Sequence, residues 1–396
     1  MRDVLPAREG LIWAAGFLIV ASAIYASGFT SADPDSALYA GISGRLAREP
    51  VARWVAPEWW GFWPEAQMTG LFREHPAGVF WAPAALARLG LPAEQNAYVV
   101  GVFAGLASLV LLGTLAGRIA TRGDGRAVLL LVQLMPAAFI FRIRANHEYP
   151  MLLCLLLVLV GLDGMRRSWW AWVLVAAGVT GGLLVKGVFV SLVLLGGVVW
   201  LVFDPLRDGR GAARQWIGFA AAIAAAGLVA AAYDLIYARA TGEAFWSAYW
   251  ARQIGPLTIA APEPDAASVI ARLGFYASRL LWHPAPWSLA LVWLAVTRFG
   301  TWRDLSPSQR RGLALAIAFV VLSVAVLSLP GRYAERYAFS ATFVVGAVGA
   351  IAAVRSWPAF GTRLSRLDAR VPALPALLWT ALALARLVLG PYLPRV

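Results

Sequence analysis

Apolar residues run through this chain in long blocks, each ended by a short polar turn. The blocks lie at 11–29, 96–117, 127–144, 149–165, 169–185, 188–203, 216–236, 276–297, 313–329, 337–354 and 373–392. Each is near the length of about 20 residues that a helix needs to cross a bilayer. The pattern predicts an all-α integral membrane protein, a polytopic bundle of about eleven transmembrane helices forming one domain over 1–396. The first block follows Arg2 and Arg8 and is long for the apolar part of a signal peptide, so it is expected to remain as the first span. Only Arg166-Arg167 and Lys186-Gly187 divide the blocks on either side of them, which predicts tight turns there.

The longest polar interruption runs from Ser31 to Leu89, within a first loop at 30–95. Leu38, Ile42 and Leu46 repeat at helical spacing, so 34–49 is expected to form a short helix lying along the membrane surface, and 77–90 a second. Between them Trp54, Trp59, Trp60 and Trp63 form an aromatic cluster suited to the headgroup level, and Phe245 to Trp250 are expected to do the same in a second loop at 237–275.

Composition agrees with the pattern. Hydrophobic residues make up 60% of the chain and charged residues 14%, against roughly 25% charged in a soluble domain. The net charge of +13 comes almost wholly from arginine, and Lys186 is the only lysine. These arginines sit in short loops between apolar blocks, which points to membrane topology and lipid headgroups and away from nucleic acid. Arg118, Arg122 and Arg126, Arg166 and Arg167, Arg207, Arg210 and Arg214, and the groups near 298–311 and 355–370 mark one face. By the positive-inside rule that face and the N-terminus are cytoplasmic, and both long loops are outside. The single cysteine, Cys154, permits no intrachain disulfide.

Several charges break this arrangement. Arg142, Arg144, His147 and Glu148, then Lys186, then Arg332, Glu335 and Arg336 cluster at the expected outer ends of spans. Charge at that depth is expensive and needs a partner. Local pairing of Arg336 with Glu335 and of Arg144 with Glu148 is one account; convergence on a bound anion is the other, since guanidinium and ammonium groups both suit phosphate. Asp33 and Asp35 flank a proline at the membrane surface. Asp35 could cap the 36–47 helix, or accept a proton from an attacking hydroxyl. Glu74 and His75, with His147 and His283, raise a divalent metal, although the histidines lack ligand spacing. The sequence contains no Gly-rich nucleotide loop and no Ser/His/Asp motif.

Five short motifs, in order, resemble the GT-C membrane glycosyltransferases, in particular the branch of protein O-mannosyltransferases and lipid A aminoarabinose transferases. They are Asp35-Ser36-Ala37-Leu38-Tyr39-Ala40, Glu74-His75-Pro76 with Trp81, Glu148-Tyr149-Pro150, Leu184-Val185-Lys186-Gly187, and Arg336-Tyr337. Ser36 stands where the family usually has a second acid, and His75 where relatives have a lysine. The resemblance implies a GT-C bundle with juxtamembrane helices in the first outer loop, working at the periplasmic side of a bacterial inner membrane. It implies an inverting transfer from a polyprenyl-phosphate sugar to a hydroxyl of lipid A or its core, an envelope glycan or a protein. Asp35, with Asp33 beside it, would be the base. Lys186, Arg332, Arg336 and Tyr337, with Arg142 and Arg144, would hold the donor phosphate. Tyr39, Glu74, His75, His147 and Glu148 would complete the pocket. No cofactor is required on this reading; a divalent metal on Glu74 and His75 stays open. The rival class is a transporter or flippase for a polyprenyl lipid or small molecule. Such proteins place charges near mid-membrane and often carry inverted repeats; here the charges lie at span ends and no repeat is evident.

Overall fold

The structure is a computed structural model that describes residues 7–31, 33–59, 70–206, 211–253, 266–297, 305–330, 333–371 and 373–390. Trp60, Trp63 and Arg332 lie outside the described residues. Among the described residues regular structure is helical, apart from one isolated antiparallel bridge between Glu58 and Leu71. The helices are α1 (Ala7–Ser27), α2 (Pro34–Leu46), α3 (Gly78–Arg88), α4 (Ala93–Ile119), α5 (Arg122–Leu131), α6 (Pro136–Ile140), α7 (Glu148–Gly164), α8 (Trp172–Lys186) and α9 (Val190–Phe203). They continue with α10 (Ala212–Thr241), α11 (Phe245–Gln253), α12 (Ala266–Trp282), α13 (Trp287–Thr297), α14 (Pro307–Ser328), α15 (Phe339–Ser356), α16 (Pro358–Arg370) and α17 (Leu374–Leu389).

By length and apolarity, six helical stretches among the described residues can cross a bilayer, or up to eight if two sharply bent pairs each count as one span. The chain is thus a multi-pass membrane protein, but the count of about eleven is not reached on this measure. The shortfall has physical causes. With 17 residues, α7 is only about 25 Å long, short of a bilayer core of about 30 Å. The block at 127–144 is cut by Pro136 into α5, a 3-10 turn and α6. The block at 276–297 bends by 101° between α12 and α13, and α16 meets α17 at 88°.

The stretch Trp169–Phe203 is 35 residues long and apolar throughout, yet the chain reverses in its middle. A Cβ on Gly182 would lie 3.1 Å from Val193. Along one straight helix eleven residues would separate such atoms by about 16 Å. So α8 and α9 are the arms of a hairpin, turned at Gly187, whose φ of +58° suits glycine. This is the tight turn expected at Lys186-Gly187. Helices elsewhere touch through small residues: a Cβ on Gly178 of α8 would lie 2.5 Å from the Cys154 carbonyl oxygen of α7. Close backbone approach of this kind holds helices together where lipid supplies little hydrophobic drive.

Both short helices of the first loop form, slightly shorter than expected. Leu38, Tyr39, Ile42 and Leu46 of α2 pack with Phe72, Phe80 and Ala84 into a small core above the bundle. At the start of α2, Pro34 occupies the first turn and Asp33 is the N-cap, accepting from the Ser36 backbone N–H at 3.1 Å. Capping therefore falls to Asp33 and not to Asp35. The 245–250 aromatic run also departs from expectation. Phe245 and Tyr249 are buried against Tyr233 and Tyr237 of α10, and only the Trp250 end is exposed.

Candidate active site

With Asp33 engaged as the cap, Asp35 one turn-start later stands clear and half-exposed, and its carboxylate forms an ion pair with Arg336. The Arg336 Nε lies 3.9 Å from Glu148 Oε1, so this guanidinium faces two acids from different parts of the chain. Four residues after Asp35, on the same face of α2, the buried Tyr39 turns toward the bundle. Its hydroxyl lies 2.7 Å from His75 Nε2 and 3.1 Å from His147 Nδ1. The Lys186 ammonium lies 3.3 Å from the same Nδ1.

A small cleft of about 30 Å³ opens between the start of α7, the α8–α9 turn and the start of α15. His147, Glu148, Lys186, Arg336 and Tyr337 form its polar end, and Leu155, Phe189, Leu192 and Phe339 its apolar walls. Tyr337 packs at a tilt against Phe189 with ring centroids 4.6 Å apart. Such a lining suits a ligand with an anionic head and a hydrocarbon body. Three sequence clusters thus meet at one end of the bundle: those at 142–148, at 186 and at 335–337.

Not every expected residue joins them. Arg142 is buried but donates to the Gln133 carbonyl, 3.0 Å away. Arg144 lies over the Phe141 ring at 4.4 Å, with its Nη2 3.9 Å from Asp33. Neither lines the cleft. Glu335 turns to Arg279 and His283, not to Arg336. Glu74 accepts from the Gln253 amide.

The metal option fares poorly on geometry. His75 Nδ1 faces the Pro76 carbonyl at 3.0 Å and Nε2 faces Tyr39, so neither ring nitrogen is available as a ligand. Among the described residues no group of three His, Cys, Asp or Glu side chains is placed to hold a metal ion. Burial, and next the positive charge of Lys186, hold His75 down at about 3, so the ring is neutral. The same causes push His147 well below the usual histidine range. Burial, then Glu148, raise the Tyr39 hydroxyl well above its ordinary value, so it keeps its proton.

Three contacts were invisible in the sequence. Ser36, read there as a missing acid, donates to Asp33 at 2.6 Å and accepts from the Ala145 N–H at 3.2 Å. It thereby ties α2 to the 142–148 segment. Tyr249 accepts from the Val188 N–H at 2.9 Å and so pins the Lys186–Gly187 turn. The Arg386 Nε reaches the Ile140 carbonyl at 3.4 Å, bringing another buried guanidinium to this end.

No protein-family model matches the sequence, and no curated protein does. Solved structures do. The crystal structure of ArnT from Cupriavidus metallidurans bound to undecaprenyl phosphate superposes with a TM-score of 0.65 at 15% identity, over 96% of this chain and 77% of that one. Its apo state gives 0.53 at 17% identity, over 96% and 69%. The chain has the GT-C fold. In this bundle the polar end of the cleft is built by the segment leading into α7, the α8–α9 turn and the entry to α15, with Asp35 of α2 reaching it through Arg336.

Proposed function

We propose that this protein transfers a sugar from a polyprenyl-phosphate donor to an acceptor hydroxyl at the periplasmic face of a bacterial inner membrane. The observation that carries the reading is the meeting of Asp35, Lys186 and Arg336, from three distant segments, beside one half-apolar cleft. The undecaprenyl phosphate seen in ArnT is a ligand of the kind this cleft would take.

On this reading the acceptor oxygen attacks the anomeric carbon as its proton passes to Asp35. The new carbon–oxygen bond forms while the bond from that carbon to the phosphate oxygen breaks. The electron pair leaves on the phosphate, which Lys186 and Arg336 hold, with Tyr337 beside them. A single displacement inverts the anomeric centre. Cations placed where negative charge develops supply the main stabilisation, and a site at the edge of hydrocarbon strengthens it. Arg336 is shared between two partners. A phosphate offers its guanidinium a matched fork, so donor arrival would draw Arg336 off Asp35 and leave that carboxylate ready as base. The sugar–phosphate linkage carries the driving force, so the reaction itself calls for no cofactor. The acceptor is a lipid, glycan or protein hydroxyl.

The test is mass spectrometry of envelope lipids and glycans from cells with and without the protein. A sugar-bearing species lost on deletion and restored by the wild-type chain is expected. Identical profiles, together with no transfer by purified protein given polyprenyl-phosphate sugars, would sink the reading.

A further inference from the structure

We infer that His147 is a positioning residue for Lys186: an uncharged imidazole whose Nδ1 is the acceptor, or socket, that holds the one lysine ammonium of the chain. This deepens the proposed transfer reaction and rests on it only for the ligand that Lys186 meets.

The assignment of protons follows from which groups cannot accept. The Pro76 carbonyl can only accept, so His75 Nδ1 carries hydrogen and donates to it across 3.0 Å. His75 Nε2 then has the lone pair, and the Tyr39 O–H donates to it across 2.7 Å. A lysine ammonium can only donate, so His147 Nδ1, 3.3 Å from Lys186 Nζ, accepts. Its hydrogen is therefore on Nε2, which faces Glu148 Oε1 at 3.4 Å, off the hydrogen-bond line. One consequence is unusual. The Tyr39 oxygen has given its hydrogen to His75, and His147 Nδ1 has none, yet the two are 3.1 Å apart. Two lone-pair atoms at that distance repel, and the Lys186 ammonium, 3.3 Å from Nδ1, is a donor that offsets this on the imidazole side. The alternative, a second proton on His75, would put a positive charge in a fully buried ring.

The socket is rigid for reasons of packing. His75 and Tyr39 meet edge-on with centroids 5.3 Å apart, and Phe72 and Phe80 pack edge-on against them. Tyr249 and Gly187 fix the turn that carries Lys186. The groups facing the ammonium region are His147 and, through it, Glu148, with Tyr39 and His75 behind, Arg336 and Tyr337 across the cleft and the Phe189 ring at 5.8 Å. The socket thus aims a charged lysine into the cleft with its side chain already ordered. It also explains why histidine serves at position 75: the ring acts one step behind the cleft, as an acceptor for Tyr39.

Because Lys186 is the only lysine, its state can be read without any substrate. A small amine-acylating reagent, followed by mass spectrometry, gives the labelling rate of this one side chain. Removing the acceptor with His147→Leu is expected to speed labelling about tenfold, the effect of losing a hydrogen bond to a charged group. His147→Gln, whose amide oxygen accepts and whose N–H can face Glu148, should return the rate to near wild type. Equal rates in the Leu and Gln variants, with both folded by thermal melt, would overturn the proposal. A second arm uses polyprenyl monophosphate as the probe. His147→Leu should weaken its binding about tenfold in the native background and hardly at all alongside Lys186→Met; additive losses would count against the socket. If labelling behaves as expected while wild-type protein binds no polyprenyl monophosphate, the transfer reading fails and the socket stands.

Discussion

The two ends of the helix bundle use arginine in opposite ways. At the end where α4, α7 and α15 finish, each buried acid is matched. Arg126 grips Asp368 with two nitrogens at 2.6 and 2.8 Å and also reaches Glu9. Arg118 and Arg167 share Asp163, Arg166 meets Asp204, and Arg355 takes Asp124 with both its nitrogens. These pairs tie loops and helix ends together. At the cleft end, Arg142, Arg144, Lys186, Arg336 and Arg386 gather around Asp33, Asp35 and Glu148. There the named cations outnumber the acids. The same residue type is a strap at one end; at the other it is shared among backbone carbonyls, a ring face and acids from other segments.

Catalysis gives the largest expected contrast. Asp35→Asn keeps size and a hydrogen bond to Arg336 but cannot take a proton, so kcat should fall about 10²- to 10⁴-fold with the melting temperature unchanged. Wild-type turnover in this variant would remove Asp35 as the base. Next come the cations of the cleft. Lys186→Met and Arg336→Gln should each weaken binding of polyprenyl monophosphate about ten- to a hundredfold, read by titration in detergent. Unchanged affinity in both would place the phosphate elsewhere and erase the difference between the ends.

How much of this was legible in the sequence depends on how local each feature is. Helical spacing at Leu38, Ile42 and Leu46 announced α2 and its buried face, and a single lysine between two apolar blocks announced the α8–α9 turn. Polar residues at block ends announced which residues share one end of the bundle. Partners were not legible. Nothing local says that Arg142 turns to Gln133 while Arg336 turns to Asp35, because both contacts are made between segments. Ser36 looked like a lost acid because its role depends on Ala145, 109 positions away. Apolar blocks also overstate spans, since hydropathy cannot see the break at Pro136 or the bend between α12 and α13.

The strap end should respond in stability and not in chemistry. Arg126→Gln leaves Glu9 and Asp368 without their shared cation, and Glu9 is buried. Breaking a buried pair on one side costs about 3 kcal/mol, so the melting temperature should drop measurably. Turnover per folded molecule should not change. A variant that kept its stability but lost activity would mean that this end takes part in the reaction.

The last contrast concerns acid. His75 is held at about 3, mainly by burial, below the ordinary 6.5 that it regains on unfolding. A depressed group of this kind stabilises the folded state fully above 6.5, and that stability drains away as pH falls toward 3. The slope is about 1.4 kcal/mol per pH unit in that window. His147 is depressed for the same causes and adds in the same direction. Melting temperature followed from pH 7 to pH 4.5 reads the histidines against Glu148, whose carboxyl burial raises to about 7 and whose protonation favours the folded state. His75→Gln, which cannot titrate but can still meet Tyr39 and Pro76, should flatten the curve part of the way. His75→Gln with His147→Gln should abolish the loss, leaving the opposite slope of Glu148. If both variants lose stability as steeply as wild type, the acid-sensitive groups lie among the straps, and the neutral pair behind the cleft is not what sets the pH response.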